Sequence, residues 1–180
     1  MRVFLAIDIP AAIKKKIARL TESIRNYYPH YNWVSEENYH ITVYFFGEVD
    51  ENMISKIKSR VKNEIWDVKP FYLYSKSIGV FSNQKHVLYI DFYREKKLEK
   101  LVEKIKKSFC NKNKDKIQYI PHLTLARGKR SSKQQYFALT KKLKKIDIKI
   151  SFYIDKIILY QSIITSSKPI YKPLCQFTLI

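Results

Sequence analysis

Glycine, cysteine and acidic side chains are all scarce in this chain of 180 residues. There are three Gly, two Cys and 16 Asp+Glu against 35 Lys+Arg. Cys110 and Cys175 stand alone, outside any CxxC, so they make neither a disulfide framework nor a cysteine-based metal knuckle. So few glycines leave no Gly-rich phosphate loop, and HExxH, GxSxG and metal-spaced carboxylate clusters are missing too. No apolar run approaches the ~18 residues a membrane-spanning helix needs. The opening MRVFLAIDIP carries Asp8 and lacks a long apolar stretch and a small-residue cleavage site, which predicts a cytoplasmic protein without a signal peptide.

What is present is an ordinary globular composition, 46% hydrophobic and 28% charged. With no low-complexity segment and no long linker, residues 1–180 are expected to form a single domain. The net charge of +19 favours polyanionic partners, nucleic acid first. Only seven of the 35 basic residues are arginine, and a lysine-rich solvated surface would give the same number. Charge alone names no chemistry.

Periodicity predicts an α+β alternation. Residues 2–8 read as a buried strand ending before Pro10, and Ile13, Ile17, Leu20 and Ile24 mark an amphipathic helix over 11–27. Strands are expected at 31–35 and 39–49, with Asp50 capping a helix that carries Ile54, Ile57, Val61 and Ile65. The second half repeats the plan. Strands at 71–80 and 86–92 precede a helix over 94–109, then comes the strand HLTLA at 122–126, with Pro121 fixing its start. Ser132 is placed to cap a fourth helix carrying Tyr136, Leu139 and Leu143, and strand-like runs follow at 146–154, 156–161 and 174–180. Two β-α-β modules sharing one body is the architecture this implies.

Two of the four histidines open the same small pattern, His40-Ile41-Thr42-Val43 and His122-Leu123-Thr124-Leu125. On a strand, His40 and Thr42 project from one face while Ile41 and Val43 pack on the other, and His122 and Thr124 do likewise. With six Thr in the chain, two His-x-Thr matches among four His arise by chance in about 1% of such sequences. Once in each half of a repeating plan, the pair points to a polar site.

The paired motifs, with RVFLAIDIP, WVSEENYHITVYFFGEVDE, PHLTLAR and the closing LYQSIITSSKPIYKPLCQFTL, resemble the two-histidine (2H) phosphoesterase superfamily. Within it, the resemblance is to the RNA 2′,3′-cyclic phosphodiesterases, also called 2′-5′ RNA ligases. It implies two pseudo-symmetric lobes with antiparallel-rich sheets flanking a central cleft, helices outside, and one motif from each lobe facing the cleft. It further implies hydrolysis of RNA 2′,3′-cyclic phosphate ends to 2′-phosphates, with minor reverse ligation. His40 would be the proton donor to the leaving 3′ oxygen and His122 the acceptor from water, with Thr42, Thr124 and Arg127 on the phosphate. Two imidazoles that titrate near pH 6.5 can share such work without a metal or other cofactor. The expected partner is RNA with a cyclic phosphate end, tRNA fragments among the candidates, bound by a monomer away from membranes.

Two rival readings stay open on the residues alone. One is a non-catalytic module that binds RNA ends, and the other is the same chemistry on another cyclic phosphate or a 2′-5′ oligonucleotide. Phe45 or Phe81 is a candidate to stack a base. Lys129 and Arg130 are candidates for the RNA backbone, and so are the lysine runs at 96–97, 104–107, 112–116 and 141–145. His30 and His86 are expected to be solvated, and Asp8 and Trp33 structural.

Overall fold

The computed structural model describes residues 1–82, 85–109, 119–129, 132–166 and 168–180. Cys110, the lysine run 112–116 and Arg130 lie outside them. Among the described residues the chain forms β1 (Arg2–Asp8), α1 (Ala11–Tyr27), β2 (Asn32–Trp33), a 3-10 turn (Glu36–Asn38), β3 (His40–Glu48) and α2 (Met53–Ile65). Then come β4 (Phe71–Ser82), β5 (Lys85–Phe92), α3 (Lys96–Phe109), β6 (His122–Lys129), α4 (Lys133–Leu143), β7 (Ser151–Ile154), β8 (Lys156–Ile163) and β9 (Ile170–Thr178).

The strands order as β7-β4-β5-β6-β3-β1-β8-β9, every recorded pairing is antiparallel, and β2 pairs with β6 off this path. The order has a centre. Four strands lie on each side of the β6–β3 junction, and that junction is bridged by one recorded pair, Ile41 with Leu123. The units β1-α1-β3 and β5-α3-β6 flank it as repeats of each other, so the architecture is α+β with two related halves.

Helices form where apolar spacing matches 3.6 residues. In α3, Leu98, Leu101, Val102 and Ile105 are all at most 1% exposed, each contributing roughly 1.5–3 kcal/mol through burial. Thr21 is buried on α1 and satisfies its hydroxyl on the Ile17 carbonyl at 2.8 Å. At α4, Ser132 and Gln135 form a capping box, with the Gln135 N–H donating to Ser132 Oγ at 3.3 Å and the Ser132 N–H to Gln135 Oε1 at 3.1 Å. Pro121 precedes β6 and accepts the Phe92 N–H at 3.3 Å.

Some boundaries differ from the sequence reading, each for a local reason. Asp50 is not the cap of α2. Asn52 holds that position without a side-chain bond, and Asp50 accepts the Met53 N–H through its carbonyl. The strand expected over 146–154 is confined to Ser151–Ile154. A bulge between Ser75 and Ser77 interrupts β4, and Ser75 takes over the bonds instead: its N–H donates to the Ile150 carbonyl, and its Oγ accepts the Ile150 N–H, both at 2.9 Å. The strand at 31–35 shortens to two residues, continued by the Val34 N–H on the Leu125 carbonyl at 2.8 Å. The last strand begins at Ile170, four residues before the expected 174. His86 is the clearest miss. It is 1% exposed, with Nδ1 3.2 Å from Tyr31 Oη, because β5 begins before it and buries it.

Candidate active site

Both motifs sit at the start of their strands, β3 and β6, which are neighbours. Extending the Ile41–Leu123 register by one residue each way sets His40 against Thr124 and Thr42 against His122. Ile41, Val43, Leu123 and Leu125 are all at most 3% exposed and fill the helix-covered face, so the imidazoles and hydroxyls project from the other. Beyond this pair the strands separate. Tyr119 Oη donates to the Thr42 carbonyl at 2.9 Å, while β2 takes the β6 edge from Ala126 onward. The separation opens a cleft of about 610 Å³ lined by His40, Thr42, His122, Thr124 and Arg127 together.

Each imidazole is held in the same way. His40 Nδ1–H donates to the Asn38 carbonyl at 2.7 Å, and His122 Nδ1–H donates to the Ile120 carbonyl at 2.8 Å. In both cases the acceptor lies two residues upstream. A carbonyl can only accept, so it fixes the proton on Nδ1 and leaves Nε2 as the atom each ring presents elsewhere. Phe4 and Tyr171 pack around His40 with centroids 5.1 and 5.2 Å away, and Phe81 and Tyr89 stand edge-on to His122 at 5.3 and 5.8 Å.

A pair of equivalent bulges decides what else enters the cleft. Ala6 pairs with Thr42 but Leu5 with Tyr44, which leaves Val43 as an extra residue in β3. Tyr89 pairs with Thr124 but Leu88 with Ala126, leaving Leu125 extra in β6. Each bulge falls on the fourth motif residue and turns the next side chains over. Tyr44 and Ala126 therefore face the helices, while Phe45 and Arg127, each five residues past its histidine, reach the cleft. Strict alternation would have pointed Arg127 the wrong way. The two positions are equivalent and chemically unlike, a guanidinium in one half and an aromatic ring in the other. Arg2 lies over that ring, its Cζ 4.9 Å from the Phe45 centroid.

Burial pushes the His40 pKa below the usual imidazole value, and the neighbouring Arg127, His122 and Lys14 push the same way against the Asn38 hydrogen bond. Burial raises the Tyr171 phenol, opposed by Arg127 and Arg2. Arg127, His40 and Tyr171 line the same cleft.

Sequence reasoning missed Arg2, Ser162, Ile164, Pro169 and Tyr171, which line the cleft from β1 and the β8–β9 hairpin. Asn38 was also missed. It is 7% exposed, its carbonyl holds His40, and its Nδ2 donates to the Pro169 carbonyl at 2.8 Å, tying the hairpin to the histidine. Arg2 was readable as the cleft-face end of the alternation Arg2-Phe4-Ala6-Asp8, whereas the hairpin arrives from more than 120 residues away and left no local signal.

Phe45 is in the cleft, 48% exposed, while Phe81 stacks on Tyr89 at 3.9 Å. Lys129 is exposed at the end of β6 and His30 is exposed. Asp8 pairs with Lys14 at 2.8 Å, and Trp33 Nε1–H donates to the Tyr28 carbonyl at 2.9 Å. Among the described residues no group of three His, Cys, Asp or Glu side chains could hold a metal ion, and no helix is long and apolar enough to cross a membrane. A second hollow of about 480 Å³, against Tyr44, Phe46 and Phe109, contains none of the candidate residues.

The chain is similar to known proteins over nearly its whole length. A protein of Methanocaldococcus jannaschii named RNA 2′,3′-cyclic phosphodiesterase is 35% identical over 96% of this chain and 97% of its own length. One of the same name from Thermotoga maritima is 31% identical over 98% and 96%. The crystal structure of Escherichia coli LigT in apo form superposes with a TM-score of 0.80 at 20% identity, covering 99% of this chain and 96% of that one. The sequence pattern of the 2′-5′ RNA ligase superfamily matches residues 9–163, and the chain belongs to that superfamily.

Proposed function

We propose that this chain hydrolyses the 2′,3′-cyclic phosphate ends of RNA to 2′-phosphates, using His40 and His122 as acid and base and no metal ion. In this reading residues 1–180 work as one bilobal domain and act as a monomer. The observation that carries it is the matched seating of the two imidazoles. Each gives its Nδ1 proton to a carbonyl two residues upstream and keeps Nε2 for the shared cleft. A module that only binds has no need of two rings held in the same tautomer.

The reaction follows from in-line geometry. Water attacks phosphorus, the bond from phosphorus to O3′ breaks, and the 2′ ester remains. One imidazole accepts the water proton while the other donates a proton to O3′. We assign donation to His40 and acceptance to His122. Before substrate binds, burial and the nearby cations favour neutral His40. A phosphodiester anion bound beside the ring favours the imidazolium, which is the form the donor role requires. Thr42 and Thr124 donate hydroxyl hydrogen bonds to the non-bridging oxygens, and Arg127 offers a planar fork to the same anion.

Phe45, the equivalent of Arg127 in the other half, is the face for the terminal base. With a 5′-hydroxyl replacing water, the reverse reaction joins two ends by a 2′-5′ linkage, as a minor activity.

Phosphorus NMR of uridine 2′,3′-cyclic phosphate incubated with the protein in EDTA tests this. The expected product is the 2′-phosphate, and His40→Ala and His122→Ala should each slow its formation by about 10²–10⁴-fold. A 3′-phosphate product, or full activity in either variant, overturns the assignment. A panel extended to other cyclic phosphates and to 2′-5′ oligonucleotides fixes the substrate class.

A further inference from the structure

The open face of the β4–β5–β7 region carries tyrosines that the reaction does not use. Tyr72 and Tyr74 on β4 and Tyr153 on β7 are 52%, 54% and 49% exposed, and Tyr93, just past β5, is 58% exposed. Between them Phe71, Leu73 and Phe152 are buried, so the sheet here has one packed and one open face.

The register identifies that open face. His122 pairs with Asp91, and Asp91 pairs with Ser77, so all three share the cleft side. Tyr93 is two residues past Asp91 and keeps the same side. The bulge between Ser75 and Ser77 turns β4 over once, which brings Tyr74, whose carbonyl accepts the Tyr93 N–H at 2.9 Å, onto the same side. Tyr72 follows by alternation, and Tyr153 pairs with it directly. The rings are contiguous, with centroids 6.2 Å apart for Tyr72–Tyr74 and 5.0 Å for Tyr72–Tyr153. At about 4.8 Å per strand and about 3.4 Å per residue, Tyr74 lies roughly 12 Å from His122 and Tyr153 roughly 20 Å.

Cross-strand tyrosines do stabilise a sheet. Yet β7 is a four-residue edge strand, a place where an exposed aromatic cluster invites unwanted pairing. Exposed lysines bracket the cluster, Lys69 and Lys76 along the β4 side and Lys149 and Lys156 at the two ends of β7, with Lys76 paired to Asp91 at 3.6 Å and Lys149 to Asp147 at 2.8 Å. Flat rings on an open sheet, lysines around them and a chain of net charge +19 are complementary to a polyanion with stacking bases.

We propose that this face is the track for the single-stranded RNA that precedes the reacting end, its bases stacking on Tyr74, Tyr72 and Tyr153. The face lies on the cleft's side of the sheet, and the track rests on the RNA-end reading above for what enters that cleft. The test uses the full chain and a 5′-fluorescein-labelled single-stranded U10 whose binding is read by anisotropy at fixed salt. Turnover of uridine 2′,3′-cyclic phosphate is measured in parallel.

The variant is Tyr72→Thr/Tyr153→Thr, which keeps strand preference while removing both rings. Its Kd for U10 is expected to rise ten- to a hundredfold, with mononucleotide turnover within twofold of the original. Tyr72→Phe/Tyr153→Phe, which keeps both rings, is expected to bind U10 as the original does. Unchanged U10 binding in the threonine variant overturns the track and leaves the face to a different partner. Equal losses in U10 binding and mononucleotide turnover overturn it too, since they mean general damage. If the unaltered chain hydrolyses no cyclic phosphate while the threonine variant still loses U10, the track stands and the catalytic reading falls.

Discussion

Replacing Arg127 separates its two effects on the site. In the proposed reaction the guanidinium holds the phosphate, and its charge also helps keep the His40 pKa low. Arg127→Met removes both, so substrate binding and His40 titration should move together. A charge-assisted hydrogen bond to an anion contributes about 1.5–3 kcal/mol. Its loss should lower kcat/KM for uridine 2′,3′-cyclic phosphate by about ten- to 150-fold. With the cation gone, the His40 pKa should rise, read from its ring-proton shift in an NMR titration. Arg127→Lys keeps the charge and loses the planar fork. It should lower kcat/KM while leaving the His40 titration close to the original. If Arg127→Met retains kcat/KM within about threefold, or moves the His40 pKa down, the placement of Arg127 beside both phosphate and His40 is wrong.

Two further outcomes follow from the same contacts. Asn38→Ala leaves the Pro169 carbonyl without its donor and loosens the hairpin against His40; urea unfolding should show a loss of about 1–3 kcal/mol, and kcat should fall more than KM rises. His40, with its folded pKa below the unfolded value of ~6.5, binds fewer protons in the native state, so its contribution to stability is present above pH ~6.5 and lost as pH falls toward the folded pKa. His40→Asn should therefore narrow the difference between urea midpoints at pH 7.5 and pH 5, and a wider difference would contradict the burial argument.

The elements whose period is local were the legible ones. The apolar spacing of α1 and α3, the Ser132 cap and the alternation in β1, β3, β5 and β6 all write themselves in runs of a few residues. The four motif residues His40, Thr42, His122 and Thr124 were legible for the same reason, because His-x-Thr-x on a strand already sorts side chains between two faces, whereas Arg127 came from the family resemblance alone. What the sequence did not show was anything set by pairing between distant strands. The bulges at Val43 and Leu125 exist only relative to β1 and β5, and they decide that Phe45 and Arg127, rather than Tyr44 and Ala126, enter the cleft. Tyr171 and Pro169 reach His40 across a hairpin whose position depends on β1 pairing with β8. His86 looked like a turn residue from its neighbours but lies within β5, buried with its Nδ1 3.2 Å from the hydroxyl of Tyr31, which follows α1.

In the proposed reaction Nε2 of His40 and Nε2 of His122 address one phosphorus atom from opposite sides. A crystal structure with a nucleoside 2′-phosphate or a vanadate adduct bound measures this directly. Both Nε2 atoms are expected within about 2.6–3.2 Å of oxygens on that single centre, and a phosphoryl group touched by only one of the two rings, or seated outside the cleft, would overturn the two-histidine reaction.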